Sequence, residues 1–264
     1  MIDIDRFDGI EMKKQARMKF ILQHIDNKNI IDVDDIVHKC GVSAITARRD
    51  LEELAHKGLI IRTHGGAMKD ESVSHLFSFM RRMDSKREKK IDISRLAAQY
   101  VEDNDAIFLD CGTTIFNMCD FINSKKNLRV ITNSLSIASE LSKYPAIKVI
   151  MIGGEILPER KAAYGPSACK QIQQYHASKA FIGTNGLSLK NGLSSYDDYE
   201  AQIVLAMAES AENVYLLCDS SKFEMNSVFK FAPITLPDLI ITDNELDKKT
   251  YEMYIENEIK IKIA

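Results

Sequence analysis

From Asp105 onward the chain repeats one texture: a short apolar run, a turn of small polar residues, then a segment with helical spacing. The apolar runs lie within 106–114, 128–134, 147–154, 179–186, 213–222 and 236–244. Between and after them, 115–124, 137–144, 167–176, 199–211 and 249–258 place apolar residues on one face of a helix. Strands alternating with helices of this length pair in parallel, because each helix returns the chain across one face of the sheet. The terminal IKIKIA, 259–264, reads as an edge strand. This predicts an α/β domain over 91–264 with a mostly parallel sheet. Sheets of this kind bind ligands in the crevice beyond the carboxyl ends of their strands.

The residues expected at those ends share a composition. They are Asp110-Cys111-Gly112-Thr113-Thr114, Asn133-Ser134, Gly153-Gly154, Gly183-Thr184-Asn185-Gly186 and Asp219-Ser220-Ser221-Lys222. Gly112, Thr113 and Thr114 opening a helix can turn backbone N–H groups and two hydroxyls towards an anion. Lys222 adds a full positive charge, while Asp110, Asn133 and Glu200 suit exchange of hydrogen bonds with sugar hydroxyls. Taken singly, each piece has a plainer role as turn, helix cap or surface lysine. Their convergence on one sheet edge points to a small, polar, phosphorylated ligand. The basic stretch Arg81, Arg82, Lys86, Arg87, Lys89 and Lys90 reads first as a solvated helix face. The alternative is a phosphate-facing or effector-sensing connection.

The first 69 residues have a different organisation. A helix is expected over 13–24, with Met18, Ile21, Leu22 and Ile25 on one face and Lys13, Lys14, Arg17 and Lys19 elsewhere. After a break at 27–29, Asp32 caps a second short helix carrying Val33, Ile36, Val37 and Cys40. Gly41 suits the tight turn that follows, and Ser43 an N-cap. Ala44, Ala47, Leu51, Leu54 and Ala55 then form the apolar face of a third helix that Gly58 closes. A short hairpin follows, from Leu59 to Arg62, with Gly65-Gly66 as its turn. Three short helices and a hairpin make a winged helix-turn-helix.

Charge order decides how the third helix meets a partner. Arg48 and Arg49 lie in its first half, Glu52 and Glu53 in its second. Laid flat along DNA it would press glutamates against phosphate. Entering the major groove by its N-terminal half, it brings Ser43, Ala44, Ile45, Thr46, Arg48 and Arg49 towards the bases. Arg62 and His64 in the wing then reach phosphate or the minor groove. Residues 70–90 are read as a linker, with helices over 76–83 and 85–101.

The 264-residue chain is 45% hydrophobic and 28% charged with a net charge of -3, which leaves room for one local basic face but not for a basic coat. Five scattered cysteines without a C-x-x-C pair indicate neither a disulfide framework nor a zinc finger. No apolar run reaches the roughly 20 residues of a membrane span, and the acidic start lacks a signal-peptide core. A cytoplasmic location without membrane, metal or cofactor is the expectation.

These motifs, over nearly the full length, resemble the DeoR family of bacterial transcriptional regulators. The N-terminal hallmark is Ser43, Thr46, Arg48, Arg49, Asp50 and Leu51, then Leu54 and Gly58, then the wing Arg62, His64, Gly65, Gly66 and Ala67. The C-terminal hallmarks are Leu109-Asp110, Gly112-Thr113-Thr114, Thr132-Asn133-Ser134, Gly153-Gly154, Phe181, Gly183 and Gly186, Glu200-Ala201, and Asp219 with Ser221-Lys222. The resemblance implies a sugar-catabolism regulator, usually a repressor; two recognition helices reading repeated half-sites of a double-stranded operator would multiply affinity, so a homodimer or homotetramer is expected. The resemblance also implies an effector domain similar to ribose-5-phosphate isomerase, controlled by a phosphorylated sugar or polyol. Carried over by motif, 112–114 hold phosphate, and Asp110, Asn133, Glu200 and Lys222 line the pocket.

Two departures stand out. Where the isomerases carry aspartates and a lysine- and glycine-rich loop, this chain has Gly183-Thr184-Asn185-Gly186 and then LSLKNGLSSYDDYE. Proton transfer between sugar carbons needs a positioned base, so binding without turnover is expected and no catalytic residue is assigned. Ala44 and Ala47 stand where many members carry polar or larger residues, which bears on the operator sequence. The alternatives are an isomerase-like enzyme with an added helix-turn-helix, and a helix-turn-helix used for protein contacts alone.

Overall fold

A computed structural model describes residues 12–56, 59–68, 79 and 82–264. The chain divides into two compact units, Met1–Ser78 and Phe79–Ala264. This division falls inside the stretch expected as a linker over 70–90. Gly58, the 70–75 segment, most of the helix expected over 76–83, and Arg81 lie outside the described residues.

In the first unit α1 (Lys14–Lys28), α2 (Val33–Cys40) and α3 (Ala44–His56) enclose a core of Ile21, Ile25, Ile36, Val42, Leu51 and Leu54. α1 runs through the break expected at 27–29 and stops at Asn29, whose φ of 64° ends the helix in the left-handed region. Gly41 ends α2 in the same way, at φ 67°. Asp32 occupies the N-cap of α2 but forms no side-chain cap bond.

The wing is larger than the expected hairpin. β1 (Ile30–Asp32), β2 (Ile61–Arg62) and β3 (Gly66–Met68) form an antiparallel sheet in the order β1-β3-β2. Three residues are too few for an alternation to reveal β1. Gly66, expected in the turn, lies inside β3 opposite Asp32. A β-carbon there would sit 2.0 Å from the Ile31 carbonyl oxygen, so the close strand approach requires glycine.

Arg17, expected on the solvated side of α1, is 5% exposed and pairs with Asp50 of α3, which is 2% exposed. Its Nη2 donates to Asp50 Oδ1 at 3.2 Å and its Nη1 to the Met12 carbonyl at 2.7 Å. This fork ties the first helix to the third.

The second unit is a three-layer α/β structure. Its strands are β4 (Ala106–Leu109), β5 (Leu128–Thr132), β6 (Ile147–Met151), β9 (Ala177–Ile182), β12 (Ala211–Leu217), β14 (Leu239–Thr242) and β15 (Ile261–Ile263). They form one parallel sheet in the order β15-β14-β12-β9-β4-β5-β6. All seven coincide with expected strands, because a sheet covered on both faces leaves continuous apolar runs. Alternate residues feed two cores. Ile107, Leu109, Val130 and Phe181 pack with α4 (Arg87–Ala98), α5 (Thr113–Phe116), α6 (Cys119–Ile122) and α7 (Leu135–Leu141). Phe108, Ile131, Ala180 and Ile182 pack with α8 (Pro166–Ile172), α9 (Asp198–Glu209) and α10 (Lys248–Glu256).

Two small antiparallel sheets went unseen in the sequence. β7 (Glu155–Leu157) pairs with β8 (Ala162–Tyr164), and β10 (Gly186–Ser188), β11 (Gly192–Ser195) and β13 (Phe229–Ala232) pair in that order. From β4 the chain moves outward through β5 and β6, then returns to the other side of β4 with β9. That reversal opens a crevice at the carboxyl ends of β4 and β9. Among the described residues no helix is long and apolar enough to cross a membrane.

Candidate functional site

The first candidate surface is the N-terminal half of α3. Ser43 caps it, its Oγ accepting from the Thr46 backbone N–H at 3.2 Å and lying 3.0 Å from Thr46 Oγ1. The cap holds the first turn rigid and spends part of both hydroxyls. Ile45 is 72% exposed, although its apolar neighbours Ala47 and Leu51 are fully buried. Arg48 and Arg49 are exposed, and Ala44 is half-buried against the core. Glu53, in the second half, pairs with Lys14 at 2.6 Å. In the wing, half-buried Arg62 donates from Nη1 to the Gly66 carbonyl, while His64 is exposed at the turn. The free cationic surface is therefore on α3, with Arg62 partly committed to holding the wing.

The second candidate lies in the other unit, at the crevice between β4 and β9. A cavity of ≈ 200 Å³ opens there, lined by 19 residues. Asp110, Gly112, Thr113, Thr114, Asn185, Glu200 and Lys222 are among them. Asn133, Ser134, Gly153 and Gly154 are not. Asn133 is buried, its Nδ2 donating to the Ala163 carbonyl at 3.0 Å while its Oδ1 has no partner. Ser134 caps α7 by accepting from the Ile137 N–H at 3.3 Å. The Gly153 N–H donates to Gln171 Oε1 at 2.7 Å, and Gly154 packs against the Tyr164 backbone. These four brace the β5 and β6 ends.

At the cavity floor Asp110 accepts from the backbone N–H groups of Cys111 at 2.7 Å and Gly183 at 3.2 Å. Burial, reinforced by Glu200, pushes its carboxyl up to about 6 despite those two donors. The segment expected as a helix over 115–124 splits into α5 and α6, four residues each. A turn this short has little dipole, so its anion-attracting capacity rests on local donors. Gly112 provides no side-chain cap to α5, and Thr113 and Thr114 are each 9% exposed. Ser94 of α4 fixes this loop, its Oγ 2.6 Å from the Thr114 carbonyl.

Glu200 stands in the first turn of α9, whose N-cap Asp197 accepts from the N–H groups of Tyr199 and Glu200. Its Oε2 takes Arg160 Nη2 at 2.7 Å and Ser195 Oγ at 2.9 Å. Asn185 Oδ1 accepts from the Tyr196 N–H at 3.2 Å and lies 3.0 Å from Ser195 Oγ. Asp219 receives Lys86 Nζ at 2.5 Å. Burial alone would raise the Asp219 carboxyl, but the hydrogen bonds from Lys86 and Ser221 bring it below its ordinary value.

The basic stretch before β4 is not the solvated face it resembles. Arg82, Lys86 and Lys90 line the cavity. Lys90 is 7% exposed and donates to the Arg82 carbonyl. Burial lowers its ammonium to about 8, with Lys222, Arg82 and Lys86 acting in the same direction and Asp219 against it. Lys89, one position earlier, faces away and pairs with Glu245 at 2.6 Å and Asp243 at 3.3 Å. No single helical face joins these three, because a turn at 85–86, with Lys86 at φ 53°, separates Arg82 from α4. Arg160, in the β7–β8 turn, was missed outright. Nothing in LPERKA tells which side of a turn its arginine takes.

Family models match both units: a DeoR-like helix-turn-helix domain over residues 17–73 and a DeoR C terminal sensor domain over 85–244. The HTH-type transcriptional regulator IolR of Bacillus subtilis (strain 168) is 31% identical over 96% of this chain and 99% of its own. The lactose phosphotransferase system repressor of Lactococcus lactis subsp. lactis is 32% identical over 92% of this chain and 96% of its own. Among solved structures, a D-ribose-5-phosphate isomerase in complex with phospho-erythronic acid superposes with a TM-score of 0.39 and 13% identity, over 52% of this chain and 54% of that one.

Proposed function

This chain belongs to the DeoR family of transcriptional regulators, and from that premise we propose that it represses a sugar or polyol operon until a phosphorylated intermediate fills the β4–β9 cavity. One observation carries the effector assignment. Five cations (Arg82, Lys86, Lys90, Arg160 and Lys222) and three carboxylates (Asp110, Glu200 and Asp219) line the cavity. With all of them ionised, two positive charges remain, the complement of one phosphomonoester dianion. Thr113, Thr114 and Asn185 add hydroxyl and amide groups, and Asp110 offers a carboxylate for sugar hydroxyls. The name of the lactose phosphotransferase system repressor supports sugar catabolism as the controlled process.

The protein is a DNA-binding regulator, and we read Ser43, Ala44, Ile45, Thr46, Arg48 and Arg49 as its base-facing residues, with Arg62 and His64 at the backbone. Two copies reading repeated half-sites would multiply affinity, so a homodimer or homotetramer in the cytoplasm is the working form. Effector affinity and operator affinity are then linked by one coupling free energy. We assign it no turnover, since 183–186 and the loop after them lack the aspartates and the lysine- and glycine-rich run that supply the isomerases' chemistry.

A thermal-shift screen of the full chain against phosphorylated sugars and polyols tests the effector class. One compound should raise the melting temperature in a dose-dependent way and release the protein from its own promoter duplex. Stabilisation by unphosphorylated sugars alone would refute the phosphate reading. Aldose–ketose interconversion of the stabilising compound would make the protein an enzyme.

A further inference from the structure

Arg160 is brought to the cavity by the turn between β7 and β8, where the Arg160 N–H bonds the Leu157 carbonyl at 3.2 Å. Its side chain is only 18% exposed, yet a single N–H has a partner, the Nη2 donation to Glu200 Oε2. A guanidinium presents five donors, so four are without an acceptor among the described residues. A largely desolvated guanidinium in that condition is costly unless something completes its hydrogen bonds. The cavity wall carries the cations Arg82, Lys86, Lys90 and Lys222, and its other carboxylates, Asp110 and Asp219, are engaged by the Cys111 and Gly183 N–H groups and by Lys86. A ligand seated in the cavity can supply the acceptors, and a phosphoryl group offers two oxygens in the bidentate manner that arginine matches.

We propose that Arg160 is a direct ligand of the effector's phosphoryl group, and that Glu200 and the phosphoryl oxygens compete for its guanidinium. The assignment rests on the reading of the β4–β9 cavity as a phosphorylated-effector site. Glu200 can yield the guanidinium without being stranded, because Ser195 Oγ still donates to the same Oε2 at 2.9 Å. The Arg160 turn also has a mechanical connection. The adjacent Glu159 carbonyl accepts from Arg82 Nη2 at 2.9 Å, and the Lys161 ammonium sits 5.2 Å from the Phe79 ring centre. A pull on Arg160 is therefore felt at Phe79 and Arg82, near the start of the second unit.

The test is calorimetric titration of inorganic phosphate into the full chain, in wild type and in Arg160→Gln, Arg160→Lys, Glu200→Gln and Thr113→Val. Arg160→Gln should weaken phosphate binding at least tenfold, and Arg160→Lys should fall between it and wild type. Glu200→Gln should tighten binding several-fold, because the competing charge is gone and the Ser195 bond remains. A clamp that only shapes the cavity would weaken binding in both arginine and glutamate variants, which would overturn the proposal. Wild-type affinity in Arg160→Gln, with loss in Thr113→Val, would overturn the Arg160 assignment and leave the phosphate site standing. No phosphate binding by wild type would overturn both. If Arg160→Gln fails to fold, the sign of the Glu200→Gln change decides alone.

Discussion

The face of α3 proposed to read DNA keeps its charges in water, whereas the β4–β9 cavity buries or half-buries all of its charges but Lys86. Arg48 and Arg49 are exposed, and behind them one buried pair, Arg17 with Asp50, fixes the helix. The cavity has no such division. The groups proposed to bind the effector also hold the structure: Lys86 pairs with Asp219, Arg160 with Glu200, and Lys90 donates to the Arg82 carbonyl. A surface that reads a long polyanion needs cations ready in solvent, where they steer association cheaply. A pocket for a small dianion gains stronger contacts by desolvating its charges, which are then held by partial pairing with one another. Mutations should therefore separate folding from binding on α3 and mix them in the cavity.

The sharpest way to break that contrast is Asp50→Ala. It removes the carboxylate from a buried charge pair, and should cost the N-terminal unit about 3–5 kcal/mol. Two-step chemical denaturation would show the first unit melting early and the second unchanged. A loss well below this range would mean that the pair does not support α3.

Next in size is the pH dependence of the second unit. The Asp110 carboxyl lies at about 6 when folded and near its ordinary 3.8 when unfolded. The folded state therefore holds this proton more tightly. The stabilisation is complete below about pH 4 and is lost as pH rises through about 6. At about 1.4 kcal/mol per pH unit the loss approaches 3 kcal/mol, and Asp110→Asn should flatten it. An unchanged slope in that variant would move the titration to another group.

Arg49→Ala should weaken operator binding by about 1–3 kcal/mol, if its guanidinium pairs with a base edge, without shifting the melting curve. Unchanged affinity in a fluorescence-anisotropy titration would remove Arg49 from the interface. The smallest effect expected is Thr113→Val, about 0.5–1.5 kcal/mol on effector affinity with operator affinity intact. An unaltered effector dissociation constant would leave phosphate binding to the basic side chains.

Most of this architecture is legible in the sequence. The seven parallel strands left uninterrupted apolar runs, and α3 announced itself by a cap, a period and an order of charges. What escaped shares one cause, the dependence of a side chain's direction on distant packing. Asn133, Ser134, Gly153 and Gly154 have the same small polar character as the true cavity residues, because caps, close approaches and ligand loops all call for it. Arg17 and Lys90 sit in helical patterns that read as solvated, and only the partners Asp50 and the Arg82 carbonyl, contributed from elsewhere, turn those positions inward. Arg160 lies in a turn without periodicity, so no local rule tells on which side it falls.

The chain reversal between β4 and β9 has a further consequence. The sheet's two wings, β4-β5-β6 and β9-β12-β14-β15, meet along one parallel seam, Ile107 to Leu109 against Lys179 to Phe181. Asp110 lies at the end of one wing and Gly183 at the end of the other, and the Gly183 N–H to Asp110 bond already spans the gap. A small molecule seated there would act as a clasp between sequence-distant halves. Its clearest signature in hydrogen exchange would be slower deuterium uptake along both sides of the seam at once, with the outer strands β6 and β15 little changed.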